Sequence, residues 1–223
     1  MLSFTEENYL KAVLKLSLDH AAASAGINTI ATHLNVKPAT ATDMLKKLKE
    51  KSLVYYEKYG KVTLSDSGKN TALNVLRRHR LWETFLFEKL DFTWDEVHEV
   101  AEQLEHIQST RLTEKLDAFL GYPSFDPHGD AIPNAKGELA LSHFTPLSAC
   151  EPGHQFIVMT VKDNSTTFLK YASKLGLAIN GVITVLSRQE FDGSLEISIH
   201  DKIVTVSQKF AENIMVRLED HSD

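Results

Sequence analysis

The sequence has 223 residues, of which 43% are hydrophobic and 24% are charged, the proportions of an ordinary folded protein with room for real hydrophobic cores. No apolar run approaches the roughly 18 residues that a membrane-spanning helix needs, and the acidic, polar start is unlike a signal peptide. The single cysteine, Cys150, excludes an internal disulfide framework and fits a reducing compartment. We therefore expect a cytoplasmic protein without a membrane partner.

The net charge of −6 is distributed unevenly along the chain. Residues 1–80 hold 13 lysines and arginines against 7 aspartates and glutamates, whereas residues 81–223 hold 11 against 23. A basic segment joined to an acidic remainder is typical of a nucleic-acid-binding module attached to another domain.

The first third of the chain predicts a winged helix. Helical spacing indicates a first helix in "TEENYLKAVLKLSLDH", with Thr5 as its predicted N-cap, a short helix in "NTIATHLNV" and a third in "KPATATDMLKKLKEKSLV". Two short helices separated by about four residues, the second amphipathic and basic, are typical of a helix-turn-helix. The alternating segment "LVYYEKYGKVTL" then predicts a two-stranded hairpin, which completes the winged helix.

Three further helices and a β-rich segment follow. A long helix is predicted over 66–90, and shorter helices are predicted over 93–108 and 109–120. Residues 121–139 contain three prolines and several glycines, which indicate a loop or linker. Beyond about residue 150, short β-rich runs with one embedded helix predict a small β-barrel, so the expected fold class is α+β.

The third helix and the wing supply the candidate DNA contacts. Lysine and threonine side chains serve phosphates and base edges, and small alanines allow close approach to the groove. The candidates are Lys37, Ala39, Thr40, Thr42, Asp43, Lys46, Lys47, Lys58 and Lys61. The alternative is that these lysines form only a solvated face.

Histidines and glutamates are concentrated in "VHEVAEQLEHIQ", residues 97–108. At about 3.6 residues per turn, one face of this helix carries His98, Glu102, Glu105 and His106, with no lysine or arginine in the segment to relieve the charge. Upstream, "RRHRLWE" places His79 and Glu83 four residues apart, a natural chelating pair. Two such helices favour a metal site over surface ion pairs.

A metal-dependent enzyme that uses these clusters is the alternative function. "HEVAE" approaches the zinc-protease pattern but has Glu102 where the second histidine is needed. A di-iron centre would require Glu-x-x-His on two helices, and that repeat is absent from the sequence.

"HRLWE", "VHEVAEQLEH" and the winged helix before them closely resemble the diphtheria-toxin-repressor (iron-dependent-repressor) family, and "YPSFDPHGDAIP…KGEL" is similar to its longer manganese-responsive members. The resemblance covers nearly the whole chain. It implies a winged-helix domain at 1–70, a helical dimerisation and metal-binding domain with a Pro/Gly-rich linker at 71–149, and an SH3-like domain similar to ferrous-transport accessory proteins at 150–223. It also implies a metal-dependent repressor that binds double-stranded operator DNA as a homodimer and controls metal-uptake genes.

The resemblance further implies two metal positions. The first would use Asn8, Glu102, Glu105 and His106, with Asn8 standing where the family usually has Met or Asp. A glutamate that shorter manganese regulators add one turn on is replaced here by Lys11. The second position would use His79, Glu83, His98, Asp126, His128 and Asp163.

The ligand types predict the metal, and the place of each position in the chain predicts its role. Carboxylate and imidazole donors suit Mn(II) and Fe(II), whereas thiolates would favour zinc or copper. Cys150 lies outside both clusters, and Glu102 and Asp126 stand where related sequences have cysteine. We expect Mn(II), with Fe(II) as the alternative. The first position is expected to control DNA binding directly, and the second to hold the β domain to the dimer core.

Overall fold

In this computed structural model, which describes residues 2–18, 26–56, 61–140 and 144–219, three helices and a two-stranded sheet form the winged helix. The helices are α1 (Phe4–Leu18), α2 (Ile27–His33) and α3 (Pro38–Glu50), and the strands are β1 (Val54–Tyr56) and β2 (Val62–Leu64). The strands pair antiparallel, with Tyr55 opposite Thr63. The predicted wing contact Lys58 lies outside the described residues.

The first helix begins with a capping box. The Ser3 amide donates to the Glu6 carboxylate at 2.9 Å, and the Glu6 amide donates to the Ser3 hydroxyl at 3.3 Å. Ser3 is therefore the N-cap, and the prediction of Thr5 was wrong. The prediction placed the start of the helix from its apolar pattern, but the first buried apolar residue, Tyr9, lies more than a turn inside the helix.

Packing in the winged helix follows the predicted helical spacing. On α3, Ala41, Leu45 and Leu48 are fully buried, and Pro38 occupies the first turn, where its missing N–H removes no helical hydrogen bond. These side chains share one hydrophobic core with residues of α1, α2 and the first part of the long helix that follows. The polar face of α3 is therefore directed outward.

The remaining elements agree with the predicted α+β class. After the winged helix come α4 (Asp66–Leu90), α5 (Val97–Leu104), α6 (Thr110–Phe119), β3 (Thr145–Pro146), β4 (Gln155–Val161), α7 (Thr166–Lys174), β5 (Val182–Arg188), β6 (Leu195–Ile199), β7 (Lys202–Val206), α8 (Gln208–Glu212) and β8 (Ile214–Leu218). The last six strands form one antiparallel sheet in the order β3-β8-β4-β5-β6-β7. Its core includes Val158, Val185 and Ile197.

The chain divides into two compact units. The first is drawn from residues 1–79, 102–115 and 133–139, and the second from residues 80–101, 116–132 and 140–223. Within the residues that the structure describes, no helix is long and apolar enough to cross a membrane.

Gly68 in the first turn of α4 offers a test of winged-helix packing. A Cβ atom at this position would lie 1.9 Å from the backbone oxygen of Leu53, a distance that requires the backbone to move. We expect Gly68→Ala to lower the free energy of unfolding by about 3 kcal/mol, the upper range for overpacking. Urea unfolding measures the change. Ser67→Ala, at the exposed neighbouring position, is the control and should change stability by less than about 0.5 kcal/mol.

Candidate metal centres

Glu83 of α4 and the loop residues Asp126 and His128 form a buried group that is suited to a cation. Their ligand atoms all lie within 4.8 Å of one another. The exposed fractions are only 2%, 6% and 0%, so water does little to offset the two carboxylate charges. We call these three residues the loop–helix group.

The imidazole of His128 is oriented for a ligand. Its Nε2 lies 2.9 Å from the carbonyl oxygen of Trp94, which can only accept, so Nε2 carries a proton. The other ring nitrogen, Nδ1, is buried without a hydrogen-bond partner among the described residues and lies 3.8 Å from Glu83 Oε2. Because Nε2 is committed to that carbonyl, Nδ1 is the ring nitrogen that a bound metal ion would use in place of a proton.

The pKa values show how negative this group is. Burial raises the pKa of Asp126 well above its usual range, and the nearby carboxylates of Asp130 and Glu83 raise it further. Burial alone would lower the pKa of His128, but the carboxylates of Glu83 and Asp126 outweigh it and raise the value to about 9. A divalent cation bound here would replace the proton of His128, so protonation and metal binding compete at this group.

Backbone hydrogen bonds and one arginine hold the ligand loop in shape. Asp126 Oδ1 accepts from the amides of His128 at 2.8 Å and Asp130 at 3.0 Å. The Arg80 guanidinium lies 3.5 Å from Asp126 Oδ2 and 3.0 Å from Asp130 Oδ2, and it also donates to the Ala131 carbonyl. Sequence reasoning did not predict that Arg80 supports this loop, although Arg80 lies in the "RRHRLWE" segment.

Gly129 fixes the loop against the β domain. Its φ is +80°, and a Cβ atom there would lie 1.8 Å from the backbone oxygen of Met159 in β4. The Val161 amide also donates to the His128 carbonyl at 3.3 Å. Only glycine fits such an approach, so the β4 backbone positions the residue next to a candidate ligand.

Of the other residues predicted for this position, His98 adjoins the loop–helix group and Asp163 does not. His98 Nδ1 lies 3.0 Å from Glu83 Oε1. His79 precedes Glu83 by one turn of α4. The Asp163 carboxylate instead accepts from the Ser165 amide at 2.9 Å, and among the described residues it joins no metal-like group.

At the first predicted position, Lys11 of α1 provides a positive charge. Lys11 Nζ lies 2.7 Å from Glu105 Oε2 and 3.5 Å from Glu102 Oε1, and His79 Nδ1 lies 2.6 Å from the same Glu105 oxygen. Burial tends to raise the pKa of Glu105, but His79 and Lys11 outweigh it and the pKa is lowered. The Glu105 carboxylate is therefore a compensated buried charge.

Beside Glu105, a glutamate that sequence reasoning missed binds His106. His106 Nδ1 lies 2.6 Å from Glu7 Oε2, and the imidazole stacks on Phe4 with ring centroids 4.5 Å apart. Glu7 also accepts from Arg78 at 3.1 Å and from Gln108 at 2.9 Å. The sequence signal that could have identified Glu7 is its position next to the predicted ligand Asn8. In the structure, Asn8 Oδ1 is buried without a hydrogen bond to any described residue.

The two predicted positions therefore differ in how well they fit a divalent ion. The loop–helix group has two buried carboxylates and a ring nitrogen directed toward that of Glu83. In the described structure, Glu102, Glu105 and His106 do not form a group of the same closeness, and an ammonium already contacts both glutamates.

The predicted DNA contacts on α3 are accessible. The exposed residues are Lys37, Ala39, Thr40, Asp43, Lys46 and Lys47, and Lys61 of the wing is also exposed. The Thr42 hydroxyl donates to the Pro38 carbonyl at 2.8 Å, and Lys46 pairs with Asp43 at 3.3 Å on the surface. An exposed basic helix in this motif is suited to a DNA groove.

Comparisons with known proteins agree with these features. The chain matches the N-terminal DNA-binding domain of iron-dependent repressors over residues 1–62, their metal-binding and dimerisation domain over residues 65–134, and the FeoA domain over residues 145–218. A solved manganese-dependent transcriptional repressor in complex with manganese is 36% identical, with a TM-score of 0.87, and the match covers 96% of this chain and 100% of that one.

Two curated relatives match over shorter stretches. A probable metal transport system membrane protein of Chlamydia trachomatis is 42% identical over 71 residues, which are 32% of this chain and only 16% of that protein. The iron-dependent repressor IdeR of Mycobacterium tuberculosis is 27% identical over 129 residues, 58% of this chain and 55% of that protein.

The chain belongs to the iron-dependent repressor family, a family of metal-dependent, DNA-binding transcriptional regulators. The predicted family and its fold, a winged helix, a helical dimerisation domain and an SH3-like β domain, are thereby confirmed. Because the family consists of regulators, the alternative of a metal-dependent enzyme is not supported.

The loop–helix group can be tested by removing one donor. Loss of an outer-shell partner typically weakens metal binding by 10–100-fold, so His128→Ala should weaken Mn(II) binding by at least about 100-fold. Isothermal titration calorimetry measures the affinity. His154→Ala, which removes an exposed histidine, should bind Mn(II) as the unmodified chain does. Equal affinity of the two variants would contradict the assignment.

Proposed function

We propose that this protein is a transcriptional repressor of metal-uptake genes that binds operator DNA as a homodimer when it is loaded with metal. The observation that carries the proposal is the loop–helix group, a buried set of two carboxylates and an imidazole, in a chain that also presents an exposed basic α3. We also propose that the protein acts in the cytoplasm. Its proposed domains are the winged helix at 1–70, the dimerisation and metal-binding domain at 71–149 and the SH3-like domain at 150–223.

Mn(II) is the proposed metal, with Fe(II) as the alternative. The donors of the loop–helix group are two carboxylates and an imidazole, and His98 and His79 would add imidazole nitrogens. Such mixtures suit Mn(II) and Fe(II). The similar repressor solved in complex with manganese supports Mn(II) for this chain. The similarity to the iron-dependent repressor IdeR supports Fe(II) as the alternative.

The ligand residues come from three segments that a common ion would hold together. Glu83 belongs to α4, His98 to α5, and Asp126 and His128 to the loop after α6. Without a cation, the carboxylates of Glu83 and Asp126 repel each other in a buried setting, as the raised pKa of Asp126 reflects. A bound Mn(II) would supply the positive charge that holds these three segments together.

This assignment of roles differs from the expectation from the sequence. There, the Glu102–Glu105–His106 position was to control DNA binding and the Asp126–His128 position was to stabilise the assembly. We now propose that the loop–helix group carries the metal response, because Lys11 already compensates Glu105 and contacts Glu102.

The dimer is proposed to form through apolar side chains near the ends of α4 and α6. Large exposed fractions are found for Phe87 (44%), Leu90 (51%), Phe119 (65%) and Tyr122 (70%). The Phe119 ring also contacts Phe85, with centroids 6.1 Å apart. Exposed apolar side chains on a regulator are suited to a twofold contact, which would present one α3 to each operator half-site.

The function is tested by a gel shift on a palindromic duplex selected from a random library with Mn(II) present. Mn(II) should strengthen binding of the unmodified chain by roughly 100-fold, the upper range of coupling between two sites. His128→Ala should bind this duplex weakly with or without Mn(II). Equally strong binding by the unmodified chain without metal would reject the metal response.

Lys47→Ala separates DNA contact from metal sensing in the same assay. It should retain normal Mn(II) affinity while weakening DNA binding and reducing the salt slope by about one phosphate contact. Lys202→Ala, an exposed lysine of the β domain, is the matched control and should leave DNA binding unchanged.

Phe119→Glu tests the proposed dimer surface. Removing two buried phenyl rings, one per subunit, should weaken association by about 4 kcal/mol, roughly a thousandfold in the dimer dissociation constant. Light scattering at micromolar concentration should then give the mass of one chain instead of two. Phe191→Glu, at a side chain that is 99% exposed in the β domain, should remain dimeric.

A further inference from the structure

We propose that the Lys11 ammonium is a built-in cation that occupies the Glu102–Glu105 position, so that this position binds no divalent ion while Lys11 is present. The proposal deepens the proposed function, on which it rests, because it leaves the loop–helix group as the single metal-responsive site. Removal of Lys11 should convert the position into a metal site.

The geometry leaves no room for a divalent ion at the main carboxylate oxygen. Glu105 Oε2 is contacted by Lys11 Nζ at 2.7 Å and by His79 Nδ1 at 2.6 Å. The Lys11 side chain is only 7% exposed, and the Glu105 side chain is 0% exposed. A metal ion on this oxygen would lie beside a buried ammonium, and two like charges so close in a poorly solvated site repel strongly.

Lys11 also has the role that a metal would have in joining chain segments. It is located on α1, whereas Glu102 lies near the end of α5 and Glu105 directly follows that helix. The neighbouring pairs Glu7–Arg78 and Glu7–His106 add further contacts between α1 and distant parts of the first unit. α1 is therefore attached to the 102–106 segment by permanent charges, which do not depend on metal supply.

The donors for a metal are nevertheless present around the lysine. Asn8 Oδ1 and Glu105 Oε1 are both buried without a hydrogen bond to any described residue. His106 Nε2 lies 3.6 Å from that Glu105 oxygen. With Lys11 replaced by a neutral side chain, these oxygens and the imidazole would face a buried carboxylate that has lost its ammonium partner, the condition that attracts a cation.

Metal counting on the full-length dimer tests the proposal. After equilibration with Mn(II) and desalting, the unmodified chain should hold one Mn per chain and His128→Ala none. Lys11→Gln should hold two, and the double variant Lys11→Gln/His128→Ala should hold one. A tightly bound Mn that remains in His128→Ala and is lost on adding Glu105→Gln would overturn the proposal, and this comparison does not require any Lys11 variant to fold.

Thermal unfolding provides a second readout. Without metal, Lys11→Gln should lower the melting temperature by roughly 10 °C, because it leaves a buried carboxylate without its partner. Mn(II) should restore most of the loss. Lys51→Gln is the matched control, since Lys51 pairs with Glu6 of α1 at 2.6 Å but is 46% exposed, and its effect should be small and independent of Mn(II).

Each remaining outcome has a definite meaning. A Lys11→Gln variant that holds no additional Mn and melts like the unmodified chain would overturn the proposal. A variant that folds only with Mn(II) present would support it. If the unmodified chain holds one Mn and still fails to shift any selected duplex, the repressor function fails while the role of Lys11 stands, because the two are measured separately.

Discussion

A carboxylate that is removed from water requires a positive partner, and both histidine-rich clusters of this protein depend on how that requirement is met. Glu105 is 0% exposed and is compensated by Lys11 and His79. Glu83 and Asp126 are almost as deeply buried, and the imidazoles of His98 and His128 lie against Glu83. The Arg80 guanidinium is divided between Asp126 and Asp130. The first cluster has a lysine as its countercharge, whereas the second has imidazoles that a metal ion would use as ligands.

This contrast explains how one chain can combine a stable winged helix with a response to metal. A permanent ion pair holds its segments under all metal concentrations, so it carries no information about supply. A site with an excess of buried negative charge has an affinity for cations that depends on its geometry, and only such differential affinity can shift an equilibrium between two arrangements. Specificity for one metal then depends on donor type and number more than on total binding strength, because affinities for divalent metals follow one general order at most sites.

Much of the fold could be predicted from the sequence because it depends on local periodicity. Helical spacing in "KPATATDMLKKLKEKSLV" indicated α3, and the His79–Glu83 spacing indicated one face of α4. The Lys11–Glu105 contact could not be predicted in this way, since it joins residues 94 positions apart. Asp126 and His128 were assigned only through the family resemblance. The same resemblance implied Asp163, whose carboxylate instead accepts from the amide of Ser165.

Gly129 has a consequence for how the parts of the protein can evolve. Because its Cα lies against the Met159 carbonyl of β4, the backbone that carries His128 is shaped by the β domain as well as by its own loop. The β domain is thus a structural component of the candidate metal centre, even though it supplies none of the three closest donors. The backbone path of β4 beside the loop matters for the position of His128, whereas side chains on the far surface of the sheet do not touch it through Gly129. A chain that ended before β4 would retain Glu83, Asp126 and His128 and lose the surface that positions them.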